Sequence, residues 1–201
     1  MFGDAGQQQL IQIDTEPTHM GLNRPVDVPL VGDAAVVLTQ LMEVVKSRTQ
    51  KRKLHPKIDE LRTVQDGWQQ ELDDAVADME RSPMLTGQIL KVCNDFFPGD
   101  AVMVMDGGNT TLWSIHYHVA RTQRAVVYSM NYGHLGTGLP YAIGAKLARP
   151  DKTVYCVTGD SAFGFNLQEL ETAVRHQLPV IIIVAVDGAY GMEKSAQLRQ
   201  F

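Results

Sequence analysis

Cysteine is nearly absent: the 201 residues hold two, Cys93 and Cys156. They are far apart and in no CxxC, so neither a disulfide framework nor a zinc site is expected. Two free thiols fit a reducing compartment, and a cytoplasmic location is expected. Long apolar runs are also missing. The longest, PVIIIVAV (179–186), has the length of a buried strand and falls well short of the roughly 18 residues a membrane span needs. The N-terminus MFGDAGQQQLIQID has no apolar signal core. The net charge is −5 and no basic block or aromatic-interleaved basic stretch occurs. Neither a membrane nor nucleic acid is therefore expected as a partner. GxGxxG and GxxxxGK[ST] are absent as well, which counts against an unrelated nucleotide-binding fold.

What is present is ordinary for a soluble globular protein: 44% apolar and 20% charged residues. Three zones can be distinguished. In 1–50, LIQID reads as a strand, Pro17, Gly21, Pro25 and Pro29 punctuate a loop, and Asp33 caps a helix over 34–46. This zone reads as the tail of a domain whose beginning is missing. Residues 51–81 are polar and read as a linker with a solvated helix; its Lys51-Arg52-Lys53 triplet reads as a solvated helix end. Residues 82–201 alternate helix and strand. Helices are expected at TGQILKVCNDFF, NTTLWSIHYHVA and GTGLPYAIGAKLA, and strands at AVMVMD, AVVYS, TVYCVTGD and PVIIIVAVD. The strands are continuous apolar runs, so they should be parallel and covered on both faces. The class is α/β with a doubly wound, mostly parallel sheet. Such a sheet would normally continue beyond residue 201, so a truncated end is also expected.

The chemistry gathers at strand ends. YCVTGDSAFGFNLQELETAVRHQLPVIIIVAVDGAY (155–190) reads as strand, helix and strand, with Asp160 ending the first strand and Asp187 the second. Leu167, Leu170, Ala173 and Val174 would form the helix's apolar face. Neighbouring parallel strands would bring both carboxylates to the crevice beyond the sheet's carboxyl edge. Two acidic oxygen donors beside a Gly-Asp-Ser turn suit a magnesium ion that also holds a phosphate. Asp106-Gly107-Gly108-Asn109-Thr110 and the loop Tyr132–Gly138 end other units on that edge. Each loop alone is an ordinary turn or cap; four on one edge make a ligand site.

GDSAFGFNLQELETAVRHQLPVIIIVAVDGAYG resembles the thiamine-diphosphate binding motif, which begins Gly-Asp-Gly and ends about 27 residues later in Asn-Asn. MDGGNTTLW resembles the diphosphate loop of that enzyme family, and YGHLGTGLPYAIGAKLARPD its pyrimidine-side loop and helix. LIQIDTEPTHMGLNRPVDVPLVGDAAVVLTQL resembles the end of its central domain. The family includes acetolactate synthases, 2-oxoacid decarboxylases, and oxalyl-CoA decarboxylase with 2-hydroxyacyl-CoA lyase.

The resemblance implies a magnesium set of Asp160, Asp187 and the carbonyl of Ala189. It implies that Gly108, Asn109, Thr110, Gly159, Ser161 and Ala162 hold the diphosphate. Leu135 would support the bend of the cofactor, and Gly133, His134 and Leu135 would meet its pyrimidine edge. Three positions depart from the pattern. Ser161 replaces the second Gly of Gly-Asp-Gly, as in the oxalyl-CoA decarboxylase branch. Val186-Asp187 replaces Asn-Asn, which keeps an oxygen ligand and adds a charge. Ala196 stands near the place of a substrate-channel Trp of acetolactate synthases.

The implied activity is carbon–carbon bond making or breaking beside a carbonyl, on 2-oxoacid or acyl-CoA substrates. No catalytic residue is expected in this chain, because the family's activating Glu lies on a separate pyrimidine-binding domain. The chain alone is thus expected to be inactive. It would act within a homodimer or tetramer of a parent enzyme, or with a pyrimidine-domain partner chain as a cofactor-binding or assembly subunit. FAD use is left open, because the central domain that would decide it is mostly outside the chain.

Overall fold

The computed structural model describes residues 8–49, 57–129 and 133–201. Two compact units form, Met1–Arg62 and Thr63–Phe201. Met130, which the sequence places in a strand core, and the Lys51-Arg52-Lys53 triplet lie outside the described residues.

The first unit pairs two parallel strands, β1 (Ile11–Asp14) and β2 (Val28–Val31). The sequence suggested one strand here, with Pro29 as loop punctuation. Pro29 instead lies within β2, opposite Gln12. In a two-stranded sheet each strand keeps one open edge, so a residue without an N–H is tolerated. Helix α1 (Ala34–Arg48) starts at Asp33, whose Oδ1 accepts from Ala35 N at 2.9 Å and Val36 N at 3.1 Å. These bonds satisfy two of the donors that a helix start leaves open. Leu38, Leu41, Val44 and Val45 of α1 are exposed.

The second unit holds, among the described residues, a four-stranded parallel sheet in the order β4-β3-β5-β6. Its strands are β3 (Val102–Met105), β4 (Val126–Tyr128), β5 (Val154–Gly159) and β6 (Ile181–Ala185). Alternate side chains serve opposite faces. Met103, Met105, Tyr155 and Val157 pack with Leu90 and Cys93 of α3 (Thr86–Phe96) and Tyr117 of α4 (Asn109–Tyr117). Val102, Val104, Val154 and Cys156 pack with Ala142 of α5 (Gly138–Ala148). Helices thus cover both faces, and the doubly wound α/β fold expected from the apolar runs is present.

Helix α2 (Lys57–Ala75) is polar along its length, but its C-terminal end joins this core. Val76 is 1% exposed, and the Tyr117 hydroxyl donates to the Leu72 carbonyl at 2.6 Å. A solvated reading of the 47–81 stretch does not anticipate either contact. Buried Gln88 then fixes the approach to α3: its Oε1 accepts from Leu85 N at 2.6 Å, and its Nε2 donates to the Asp78 carbonyl.

Between β5 and β6 the sequence suggested a single helix. Two short ones form, α6 (Asp160–Gly164) and α7 (Glu169–Arg175). The break falls where Asn166 Nδ2 donates to the Gly136 carbonyl at 2.6 Å, a partner the side chain reaches outside the helix. The apolar face expected there is only partly used: Ala173 is buried, while Leu167, Leu170 and Val174 are exposed. Helix α8 (Gly191–Gln200) follows β6.

Candidate functional site

All four strands run the same way, so their carboxyl ends share one edge. The loops leaving β3, β5 and β6 meet there and line a cavity of about 700 Å³. Gly108, Asn109, Thr110, Leu135, Gly159, Asp160, Ser161, Ala162, Asp187 and Ala189 all border it. Gly133 and His134 do not border it. Their carbonyls press on Gly107 instead, where a Cβ would come within 2.8 Å of the first and 3.0 Å of the second.

The β5 and β6 loops are laced together. Strand register sets Gly159 beside Ala185, one residue before Asp160 and two before Asp187. Asp160 Oδ1 accepts from Ser161 N at 2.8 Å, and its Oδ2 accepts from Gly188 N at 2.9 Å. Ser161 Oγ donates to the Ala189 carbonyl at 3.1 Å. Asp187 Oδ1 accepts from Ala189 N at 3.0 Å. A side chain at Gly191 would clash with Asp187 Oδ2 and come within 3.1 Å of Asn109 Nδ2. The Asp187 carboxylate and the Asn109 amide therefore approach one point from two loops.

This geometry fits a hard divalent cation beside a phosphate. Two carboxylates and a backbone carbonyl border one cavity, and such ions take oxygen ligands with several waters or ligand oxygens completing the shell. Among the described residues, no group of three or more His, Cys, Asp or Glu side chains gathers. Gly108, which also borders the cavity, has φ +82, a conformation that favours glycine, and caps α4 without a side chain. The free N–H groups of the first turn of α4 face an anion readily. Among the described residues, the cavity lining carries Asp160, Asp187 and Glu193 but no Lys, Arg or His. An anion bound here needs a cation to offset those charges.

The wall also carries the apolar side chains of Met84, Ile89, Trp113, Tyr190 and Met192. Trp113 stands four positions before Tyr117 on α4. It packs against the core cluster and also borders the cavity. Met84 and Ile89 precede β3 and gave no signal in the sequence. The other underrated residue is Asp106, 1% exposed at the end of β3. Its signal is a carboxylate that closes an all-apolar buried strand just ahead of two glycines.

Neither cysteine offers a thiolate. Burial pushes Cys93 up to about 11. Burial, and then the charge of Asp106, hold Cys156 far above the usual thiol range. His118 caps α4 and does not border the cavity. Burial, aided by Arg121, lowers its pKa, and its Nδ1 lies 3.3 Å from the Tyr155 hydroxyl.

Residues 106–201 match the family described as thiamine pyrophosphate enzyme, C-terminal TPP binding domain. Curated relatives extend the likeness to nearly the whole chain. It is 31% identical over 194 residues to acetolactate synthase isozyme 3 large subunit of Escherichia coli (strain K12), covering 94% of this chain and 32% of that protein. It is also 31% identical over 201 residues to a probable acetolactate synthase large subunit of Methanococcus aeolicus, covering 94% and 33%. The acetolactate synthase large subunit of Porphyra purpurea is 31% identical over 192 residues, covering 94% and 31%. The chain thus spans about a third of the length of these relatives. With the fold, the strand-end loops and these matches together, residues 106–201 belong to the C-terminal cofactor-binding domain of the thiamine-diphosphate enzyme family.

Proposed function

We propose that this chain holds the diphosphate end of thiamine diphosphate through Mg²⁺. In this reading Asp160, Asp187 and the Ala189 carbonyl are the metal ligands. The start of α4 at Gly108–Thr110, and the turn Gly159–Ala162, meet the diphosphate, while Leu135, Gly133 and His134 lie toward the rest of the cofactor. The observation that carries it is the lacing of the β5 and β6 loops around one cavity, with Asp160 bonded to Gly188 and Ser161 to Ala189. The charged residues among the described lining are all acidic, which supports a metal-dependent site, since a bare diphosphate would meet carboxylates with no side-chain cation to offset them.

When bound, the cofactor supplies an electron sink beside a carbonyl carbon. The chain's own residues bind and orient. Asp160 and Asp187 bring negative charge to the cation, the α4 amides face the anion, and Ile89, Trp113 and Leu135 keep that side of the cavity apolar. The reaction proposed is that of an acetolactate synthase-like lyase or transferase, decarboxylating or joining 2-oxoacids in the cytoplasm. Ser161 keeps an acyl-CoA substrate of the 2-hydroxyacyl-CoA lyase kind as the second reading.

We assign no catalytic acid or base to this chain. A pyrimidine-binding domain, from a second copy of the parent enzyme or a partner chain, would complete the site. The residue ranges 1–50, 51–81 and 82–201 are proposed as central-domain part, linker and cofactor domain. Calorimetric titration of thiamine diphosphate with and without Mg²⁺ tests the central claim. Binding is expected only with the metal; equal binding in its absence would remove Asp160 and Asp187 from their roles. Turnover of pyruvate by the purified chain alone would overturn the need for a second domain.

A further inference from the structure

Leu135 borders the cavity, and the residue after it is held on both sides. Gly136 N donates to Asp106 Oδ1 at 2.8 Å, and the Gly136 carbonyl accepts from Asn166 Nδ2 at 2.6 Å. The same Asp106 Oδ1 accepts from Gly107 N at 2.8 Å, and Oδ2 accepts from Thr158 Oγ1 at 2.8 Å. Asp106 is 1% exposed, Thr158 is equally buried, and Gly136 is buried. One carboxylate thus joins the ends of β3 and β5 to the loop before α5, and Asn166 adds the α6–α7 break.

A buried carboxylate must have its acceptor sites filled. Asp106 fills them with three donors from three segments that all border the cavity region. A capping or turn role would use neighbouring amides alone, as the Gly107 bond does. The bonds to Gly136 and Thr158 reach 30 and 52 residues along the chain. The backbone also closes up around this point: a Cβ on Gly107 would sit 2.8 Å from Leu135 Cδ2. The Leu135 side chain therefore rests directly on the loop that Asp106 starts.

We infer that Asp106, with Asn166, is a positioning clamp that fixes Leu135 over the Gly107-Gly108 loop before any ligand arrives. Asp106 acts through the backbone of Gly107 and Gly136 and does not border the cavity itself. The inference deepens the proposed function and rests on it for the meaning of Leu135; the clamp itself is a property of the ligand-free chain. It needs acceptor oxygens, not charge. Asn at 106 would still accept both amides and could donate to Thr158 Oγ1, whose hydroxyl already lies 3.2 Å from the Gly159 carbonyl.

Hydrogen exchange on the full ligand-free chain tests it. In Asp106→Ala and in Asn166→Ala, exchange across residues 133–137 is expected to rise roughly ten- to hundredfold, the scale of losing a charge-assisted or buried hydrogen bond. Amides of β3 and β5 should keep wild-type rates in Asn166→Ala, and Asp106→Asn should restore most of the loop protection. Three results would overturn the clamp: wild-type loop exchange in both alanine variants, equal acceleration of every amide, or no recovery in Asp106→Asn. Should Asp106→Ala not fold, Asn166→Ala and Asp106→Asn still decide it. Titration of wild type with Mg²⁺ and thiamine diphosphate separates the two ideas. Absence of binding there would sink the proposed function and leave the exchange result to judge the clamp alone.

Discussion

The two acidic loops hang from unequal strands. β5 is central, paired on both sides and buried from Val154 through Thr158, and it delivers Asp160. Among the described residues β6 is an outer strand, paired on one side, with Ile181 44% exposed and Val186, just past its end, 76% exposed, and it delivers Asp187. Asp160 has both carboxylate oxygens bonded, one of them to the other loop; Asp187 bonds within its own turn. One half of the site is thus set by the core and the other is carried by an edge. A ligand that grips both must order the edge half more than the central half.

The strongest break of this comparison is Asp160→Ala. It removes one carboxylate and unlaces Gly188, so metal-dependent binding of thiamine diphosphate should fall by more than about a hundredfold, since losses one shell further out already cost about ten- to hundredfold. Calorimetry measures this directly. Next comes a pair read by denaturant unfolding. Met103→Ala, in β3 and 0% exposed, should cost about 2–5 kcal/mol. Ile181→Ala, on the edge strand, keeps part of its surface in water in either state and should cost about 1 kcal/mol. Equal costs would erase the distinction between centre and edge.

Asp187→Asn sharpens it further. The amide keeps an oxygen for the cation and removes one negative charge from the lining. Cofactor affinity with Mg²⁺ should stay within about tenfold of wild type, shifting toward tighter binding at low salt, where like-charge repulsion is least screened. A loss as deep as that of Asp160→Ala would make the two loops equivalent. The smallest effect concerns the opposite, chemically silent part of the unit. His118 sits below its ordinary value of 6.5 through burial and then Arg121. As pH falls below 6.5 the unfolded chain takes up a proton that the folded chain resists, so stability declines in that window. His118→Asn should flatten the fall in melting temperature between pH 7 and pH 5.

Much of this was legible along the chain. Val102–Met105 and Val154–Thr158 are unbroken apolar runs because both faces of the sheet are covered, and that pattern marks central strands. Asp33, followed by Ala and Val, marks a helix start by the cap it can form. Other features were hidden by competing local signals. Pro29 reads as a turn, yet an open strand edge accepts it. Residues 160–175 carry a helical pattern, yet Asn166 finds a partner at Gly136, thirty positions upstream. Val76 and Leu72 sit among charged residues that mask their contact with the core.

The sequence by itself determined the α/β class, the parallel direction of the strands and the presence of Asp160 and Asp187 at two strand ends. Those follow from local apolar pattern and from turn chemistry, which act over a few residues. Only the tertiary structure decided that β5 is central and β6 an outer strand among the described residues, that Met84, Ile89 and Trp113 wall the cavity, and that Asp106 ties three segments. Those depend on contacts between segments tens of residues apart, whose partners are chosen by packing and by the need to satisfy buried polar groups.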